Sequence, residues 1–216
     1  MSVAKSKTKF IMLEMLLVMI VSLGITLFVP GIGQVFTFLP IIYLVIEKVI
    51  RKRKFWDIGF RFSQTASDLK THWFLALFVG VIIPILCFLF AKYMMPEYAL
   101  HIKERVPMMS AALFIPLLFG IIVGTFVEEM IYRAFFQERL SWFTPPTFAI
   151  LCTSFVFGLM HFAKGDPLIV AIDIGMVFVD SILYGLLFHR TKNIFASWIP
   201  HLASDVIGII CLVFFL

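Results

Sequence analysis

Apolar residues are grouped into about seven long runs along the chain, and short polar loops separate these runs. The runs cover residues 10–29, 35–50, 73–95, 109–140, 147–163, 168–188 and 194–216. A membrane-spanning α-helix needs about 20 mainly apolar residues, because it must cross a hydrocarbon core of about 30 Å. The pattern therefore predicts an all-α fold, a polytopic transmembrane bundle of about six to eight membrane helices. The runs leave no space for a second domain, so we expect one integral membrane domain over residues 1–216.

The composition supports a membrane location and excludes several other classes of protein. Of the residues, 62% are hydrophobic and 14% are charged, whereas soluble domains are about 45–50% apolar and about 25% charged. The net charge of +5 comes mainly from short loops, which favours lipid headgroups as partners and gives no sign of nucleic-acid binding. The three cysteines, Cys87, Cys152 and Cys211, lie inside apolar runs. An odd number of such thiols argues against a disulfide framework and against a thiolate zinc site.

Basic residues near the first two runs predict the orientation in the membrane. Lys5, Lys7 and Lys9 precede the first run, and residues 51–54 (Arg-Lys-Arg-Lys) follow the second. A third basic loop lies at residues 189–192. Lysine and arginine are enriched in short cytoplasmic loops. We therefore expect the N-terminus to lie in the cytoplasm.

Two adjacent acidic residues, Glu128 and Glu129, lie within the fourth apolar run. Each acidic side chain at bilayer depth costs about 2.5–3.5 kcal/mol on insertion scales. Glu129 and Arg133 are four residues apart, so they share a helix face and can form an ion pair. Glu128 projects about 100° away from Glu129 and has no obvious partner nearby in the sequence. The run therefore predicts a buried polar site that Glu128 faces.

Other polar residues occur in the later apolar runs. His161 ends the fifth run, Asp173 and Asp180 are seven residues apart in the sixth, and His201 and Asp205 are four apart in the seventh. Ionisable groups at this depth are tolerated where they meet one another or water. For Asp173 and Asp180, hydrogen bonding between packed helices is favoured over catalysis.

The depths of Glu128 and His161 test whether they share a site. If the fourth span begins near residue 109 and has an ordinary length, Glu128 lies near its inner end and His161 lies near the outer end of the fifth. The two residues then differ by roughly 20 Å along the membrane normal. The difference disappears if the fourth helix is centred near Glu128 and extends to about residue 139, and if the fifth helix continues past His161. We expect both of these adjustments.

These residues suit three kinds of chemistry. A carboxylate beside a histidine can deprotonate water, and a second histidine can donate a hydrogen bond to an oxyanion. The same glutamate, histidine and aspartate side chains could hold a divalent metal ion, although no His-Glu-x-x-His motif selects zinc. Intramembrane acids and histidines also form proton or ion paths in transporters. Because no serine or cysteine has a base close in sequence, a water nucleophile is simpler than a covalent one.

Three short motifs contain most of these residues. They are Glu128-Glu129-x-x-x-Arg133, Phe157-x-x-x-His161 and His201-x-x-x-Asp205. In this order and at these intervals, the motifs resemble the signature of the CPBP intramembrane proteases. This is the CAAX protease and bacteriocin-processing family, also called Abi. The resemblance covers about the last half of the chain, with a core at about residues 110–212.

The resemblance implies a role for each residue. Glu128 and His161 would activate the attacking water, His201 and Asp205 would stabilise the oxyanion, and Glu129 with Arg133 would orient the site. The resemblance implies no metal or other cofactor. A site that holds a divalent metal ion is therefore less favoured than one that activates water without a metal. The prenyl-protein endopeptidases have asparagine where this chain has Asp205, and an ionised aspartate cannot donate a hydrogen bond. Asp205 is therefore either protonated or an acceptor that orients His201, and the change favours a different substrate class.

The function expected from the resemblance is an intramembrane endopeptidase in a bacterial cell membrane. Its substrate would be a peptide or a membrane protein, cut near its C-terminus or leader. The charge pattern separately predicts that the cavity opens to the cytoplasm. It could process peptides or act in bacteriocin self-immunity. The alternatives are a non-catalytic binding or immunity protein on the same scaffold and an ion-coupled transporter. The sequence gives no indication of the oligomeric state.

Overall fold

The computed structural model describes residues 2–29, 31, 33–106 and 110–216, with the side chains of residues 2–9, 33, 34 and 111 left out. These described residues fold into helices joined by short turns and contain no strand. We number the helices α1 (Ser2–Phe28), α2 (Gly33–Phe36), α3 (Leu39–Ile50), α4 (Thr65–Thr71), α5 (Trp73–Tyr93), α6 (Pro96–Arg105), α7 (Phe114–Leu140), α8 (Pro146–Leu159), α9 (Pro167–Thr191) and α10 (Ile194–Phe214). The predicted all-α fold is confirmed.

Among the described residues, five helices are long and apolar enough to cross a bilayer: α1, α5, α7, α9 and α10. Helix α8 is apolar but has only 14 residues. The arrangement is a polytopic helical bundle, and the protein is an integral membrane protein.

The membrane span predicted at residues 35–50 is wrong in length. Helix α3 begins at Leu39 and has 12 residues, which corresponds to about 18 Å. Pro40 lies in its first turn, where the missing N–H removes no helical hydrogen bond. An apolar run of 16 residues therefore contains a turn at residues 37–38 and a short helix rather than one span.

Charged residues attach the N-terminal helices to the end of α7. The buried Glu47 of α3 accepts hydrogen bonds from Arg139 of α7, from Arg51 at 2.5 Å and from Arg53 at 3.0 Å. Glu14 of α1 accepts one from Arg51 at 2.6 Å. Charges at this depth need such partners, so the network fixes α1 and α3 against α7. The side chains of Lys5, Lys7 and Lys9 lie outside the described ones, and the orientation in the membrane stays a prediction.

Helix α10 packs closely against α5 and against the segment that precedes α4. A Cβ added at Gly80 of α5 would lie 3.1 Å from Cα of Pro200, so a larger residue would push the two helices apart by a few tenths of an ångström. At the start of α10, the side-chain amide of Asn193 donates hydrogen bonds to the carbonyl of Arg61 and to Asp68. These contacts hold the first turn of α10, which leads to His201, in a fixed position.

Candidate active site

Helix α7 changes its hydrogen-bonding pattern at the two adjacent glutamates. It is α-helical from Phe114 to Glu128 and π-helical from Glu129 to Gln137, and all nine residues of the π-helical part are buried. Such wide turns are rare and occur frequently at functional sites. The helix is centred near Glu128 and extends to Leu140, as the depth argument predicts. The sequence did not predict the π-helical part.

Glu129 is buried and lies at the centre of a hydrogen-bond network. Its Oε2 accepts a hydrogen bond of 2.5 Å from Ser197 Oγ, and its Oε1 lies 3.0 Å from His201 Nδ1. Arg133 Nε is 3.5 Å from the same Oε1, so the ion pair predicted from the spacing of four residues is present. A carboxylate that accepts two hydrogen bonds and lies beside a guanidinium is stabilised as the anion, and its position is fixed by both α7 and α10.

Arg133 has no exposed surface and extends the network to α9. Its Nη2 donates to Ser181 Oγ at 2.9 Å, and its Nη1 donates to Gln137 Oε1 at 3.4 Å. The Gln137 amide in turn donates to the carbonyl of Gly185 at 2.8 Å. Buried guanidinium groups require such acceptors. Arg133 therefore connects α7 to α9 behind the site.

His201 lies between the two glutamates. Its Nδ1 faces Glu129, and its Nε2 is 3.6 Å from Glu128 Oε2. Its ring stacks on that of Tyr184, with centroids 4.5 Å apart and an angle of 19° between the planes. Nδ1 donates its hydrogen bond to Glu129, so the other ring nitrogen, Nε2, is directed towards Glu128 and the cavity.

Of the two roles expected for Asp205, the structure excludes the orientation of His201, because Glu129 occupies that position. The ring nitrogen Nδ1 already donates to Glu129. In the part of the chain that the structure describes, Asp205 makes no hydrogen bond or ion pair, and its side chain lines the cavity described below. If Asp205 contributes to catalysis, it therefore acts directly in the cavity.

His161 follows the end of α8 rather than lying inside a longer helix. Helix α8 ends at Leu159, and the His161 amide donates to the Gly158 carbonyl in the turn that follows. The predicted continuation past His161 is therefore wrong. A helix of 14 residues is about 21 Å long, which is shorter than the hydrocarbon core of a bilayer. Helix α8 therefore ends inside the membrane, at a depth from which His161 reaches the site. Non-helical backbone is tolerated at such depth where it lines a cavity.

The ring of Phe157 separates the two histidines. Its centroid lies 4.5 Å from that of His161 and 5.9 Å from that of His201, and Tyr132 packs edge-on against it at 4.8 Å. Nδ1 of His161 is 2.8 Å from the Phe157 carbonyl. A carbonyl only accepts, so Nδ1 carries the proton. In the neutral ring, Nε2 is then free to accept a proton from water.

One cavity of about 870 Å³ brings together four of the predicted site residues. This volume lies in the range of ligand pockets, about 300–1,000 Å³. The ionisable or aromatic side chains that line it near the motifs are Glu128, Tyr132, Phe157, His161, Phe162, Asp180, Tyr184, His201 and Asp205. Glu129 and Arg133 are buried behind it. The site residues predicted from the sequence therefore divide into a group that lines the cavity and a pair that supports it.

The cavity reaches the surface at the end of the bundle that carries α6. Phe38 and Phe162 line it and are 47% and 62% exposed, and Arg105 of α6 also lines it. The basic residues 51–54 and 189–192 lie at the opposite end, where Lys192 binds Glu138 and Arg139 binds Glu47. This arrangement contradicts the expectation that the cavity opens on the side of the basic loops.

The donor set does not fit a metal site. Within the described ranges, no three histidine, cysteine, aspartate or glutamate side chains are grouped so that they could hold a metal ion. Glu128 and His201 are close, but Glu129 is directed to Ser197, Arg133 and Nδ1 of the histidine.

Ser197, Ser181 and Tyr184 contact the site, and the sequence analysis missed them. Ser197 lies four residues before His201 on α10, so the helical spacing could have identified it. Ser181 and Tyr184 lie on α9, and no local pattern relates them to α7 or α10. Their roles depend on the packing of three helices.

We expect Ser197→Ala to lower kcat about tenfold with KM unchanged. The change removes one charge-assisted hydrogen bond to Glu129, which lets the carboxylate and His201 shift. Steady-state kinetics on one cleaved peptide measures the effect. Ser154→Ala is the matched control, because Ser154 is equally buried and its Oγ has no hydrogen-bond partner among the described residues. An equal loss in both variants would show that the serine contributes only to packing.

The geometry described above defines a membrane-embedded site in which two histidines and a glutamate share a cavity. Comparison with protein families gives a match over residues 109–207 to the family described as type II CAAX prenyl endopeptidase Rce1-like. Comparisons with curated proteins and with solved structures give no significant match. The match covers the part of the chain that contains the site, and the matched family is the CPBP family. The family implies an intramembrane endopeptidase, and thus peptidase activity.

Proposed function

We propose that the protein hydrolyses a peptide bond with a water molecule that Glu128 and His161 activate. The observation that supports this most strongly is the convergence of Glu128, His161 and His201 on one cavity from three separate segments of the chain. Glu128 lines the cavity with a side chain that is 33% exposed, so it is accessible to substrate and water. Glutamate and histidine are the usual general bases for such a step.

In the first step, the water oxygen attacks the carbonyl carbon of the scissile bond. Glu128 takes one proton from this water, while Nε2 of His161 accepts a hydrogen bond from the other. The carbonyl oxygen becomes an oxyanion, which Nε2–H of a protonated His201 stabilises. Asp205 adds a second donor if it is protonated.

In the second step, the tetrahedral intermediate collapses and the C–N bond breaks. Glu128 returns its proton to the leaving amine, so the products are a new carboxyl group and a new amine. Glu129 holds Nδ1 of His201 throughout and stabilises the imidazolium. Arg133 and Ser197 position Glu129, and they act through it rather than on the substrate.

We expect the purified protein in lipid to cut components of a diverse peptide mixture, with the products read by mass spectrometry. The products should form equally with and without a chelator, because the mechanism uses no metal. Loss of the products with chelator, and recovery on adding a divalent metal, would replace this mechanism with a metallopeptidase. If wild type forms no products, a non-catalytic binding or immunity protein on the same scaffold becomes the better proposal.

We further propose that substrates reach the cavity from the side opposite the cytoplasm. The basic loops mark the cytoplasmic end, and the cavity reaches the surface at the other end. An exported peptide in a bacterial cell membrane fits this arrangement. A role in peptide maturation or in bacteriocin self-immunity would follow from cleavage at that face.

Cysteine labelling tests this orientation. In a background without the three native cysteines, we expect Glu97→Cys to react with a membrane-impermeant maleimide in intact cells. Lys54→Cys should react only after permeabilisation, because Lys54 and Glu97 are exposed at opposite ends of the bundle. The reverse labelling would place the opening of the cavity in the cytoplasm.

A further inference from the structure

Ser204 is a polar residue of α10 to which the two steps above assign no role. It lies three residues after His201 and directly before Asp205, and all three side chains line the cavity. Residues three apart share one face of a helix. The hydroxyl of Ser204 therefore lies on the same wall of the cavity as the imidazole that would stabilise the oxyanion.

The backbone does not use the proton of this hydroxyl. A serine or threonine inside a helix often donates to the carbonyl four residues earlier, as Thr125 does to Ile121 and Thr191 to Leu187, each at 2.8 Å. Among the described residues, Ser204 Oγ forms no hydrogen bond to a carbonyl. The residue is 7% exposed, and its Oγ is not one of the described polar atoms that are enclosed without a partner. The hydroxyl is therefore open to the cavity.

Tyr184 of α9 places a second hydroxyl beside the first. Its ring stacks on that of His201, with centroids 4.5 Å apart, and its hydroxyl lies close enough to Ser204 for the two groups to interact. No hydrogen bond of ordinary length and angle joins them in the part of the chain that the structure describes. The hydroxyl of a buried tyrosine usually finds a hydrogen-bond partner, and Tyr184 is 2% exposed. Two helices thus bring two hydroxyls without a firm acceptor to the same imidazole.

We propose that the hydroxyls of Ser204 and Tyr184 donate hydrogen bonds to the oxyanion beside Nε2–H of His201. This assignment rests on the proposed peptidase function and completes the donor set of the same site. Both hydroxyls keep their protons, so they stabilise the negative oxygen and take no part in proton transfer. The bonds that form and break are those of the two steps described above.

The other groups at this wall cannot supply a second donor in every protonation state. Nδ1 of His201 already donates to Glu129 at 3.0 Å, so the imidazole has only Nε2–H left for the substrate. An ionised Asp205 cannot donate. Preorganised donors aimed at the developing charge are often the largest single contribution to acyl transfer. The two hydroxyls provide them whether or not Asp205 carries a proton.

A serine close to a histidine could instead act as a nucleophile. His201 does not suit the role of its base, because it must be protonated to stabilise the oxyanion and its Nε2 is 3.6 Å from Glu128 Oε2. A fluorophosphonate, which labels nucleophilic serines, is therefore expected to leave Ser204 unmodified when the intact protein is weighed by mass spectrometry. A covalent adduct on Ser204 would overturn the assignment.

A pair of ligands tests the donors without cleavage. Both are short apolar peptides of one sequence, with either a phosphinate or a secondary alcohol in place of the scissile amide. The phosphinate carries the negative oxygens of a tetrahedral intermediate, whereas the alcohol is neutral. We would measure both dissociation constants with Glu128→Gln in lipid nanodiscs, because the glutamine removes the repulsion between Glu128 and the anion. The phosphinate is expected to bind about 10- to 100-fold more tightly, because charge-assisted hydrogen bonds are the stronger ones.

Two variants in this background remove one hydroxyl each. Ser204→Ala and Tyr184→Phe are each expected to weaken the phosphinate about tenfold and to leave the alcohol within about twofold. The phenylalanine keeps the ring that stacks on His201, so its effect reports the hydroxyl. With Glu128 intact, the same two changes should lower kcat about 10- to 100-fold and leave KM unchanged.

Each variant has a matched control. Ser154→Ala also removes a buried serine hydroxyl without a partner, but this Oγ is enclosed and the residue does not line the cavity. Tyr98→Phe removes a hydroxyl from a buried tyrosine that lines the same cavity from α6. Both controls are expected to keep the preference for the phosphinate.

The outcomes for the two proposals differ. No preference for the phosphinate in Glu128→Gln, or a preference that survives both Ser204→Ala and Tyr184→Phe, would overturn the donor assignment even if wild type cuts peptides. Equal weakening of phosphinate and alcohol would also overturn it, because a change in packing acts on both ligands. A preference that depends on the two hydroxyls, without cleavage by wild type, would overturn the peptidase and leave an anion site standing.

Discussion

Glu128→Gln is expected to lower kcat by about two to four orders of magnitude, the usual contribution of a general acid–base group. Glutamine has nearly the same shape as glutamate, but it cannot take the proton from water or return it to the amine. Glu128 makes no hydrogen bond to another helix in the described structure, and its nearest charged partner is His201 at 3.6 Å. The fold should therefore survive the change. Single-turnover cleavage of one identified peptide measures the loss.

Asp180→Asn is the matched control for this experiment. Asp180 lines the same cavity, and no described residue forms a hydrogen bond with its Oδ1. The proposed mechanism assigns it no step, so we expect activity within a few-fold of wild type. An ion-coupled transporter would depend on Asp180 at least as strongly as on Glu128. Equal activity of Glu128→Gln and wild type would remove Glu128 from the mechanism.

The sequence was sufficient to predict the membrane fold and four of the residues that line the cavity. Charged groups in an apolar run must find partners, so Glu128, His161 and His201 had to meet one another or water. The pairing of Glu129 with Arg133 follows from helical spacing alone. The extent of α7 follows from the requirement that Glu128 and His161 lie at similar depth.

Features that depend on packing between distant segments were not predictable. The π-helical part of α7 and the turn that carries His161 have no simple periodic signal, and α3 is shorter than its apolar run. The orientation of His201 depends on Glu129, which is 72 residues away in the sequence. The end of the bundle at which the cavity reaches the surface depends on how α6 packs against α9. The charge pattern of the loops predicts only how the bundle is oriented in the membrane.

Breaking the buried ion pair between Glu129 and Arg133 is expected to give the second large effect, a loss of stability. Glu129→Gln alone, or Arg133→Met alone, leaves one charge without its partner, which usually costs about 3–5 kcal/mol. Arg133 has no exposed surface and Glu129 is 1% exposed, so water cannot replace the lost partner. Each single variant should show a clear fall in the midpoint of thermal unfolding in nanodiscs, measured by tryptophan fluorescence.

The double variant Glu129→Gln/Arg133→Met distinguishes stability from catalysis. It removes both charges, so it should be less destabilised than the sum of the single variants, as coupled sites generally are. It should nevertheless remain inactive, because His201 no longer has an anion at Nδ1 to stabilise its protonated form. If the double variant regains stability but not kcat, the role of the ion pair is to orient His201. Recovery of both would show that the pair serves the fold alone, and that stacking on Tyr184 is enough to hold His201 in place.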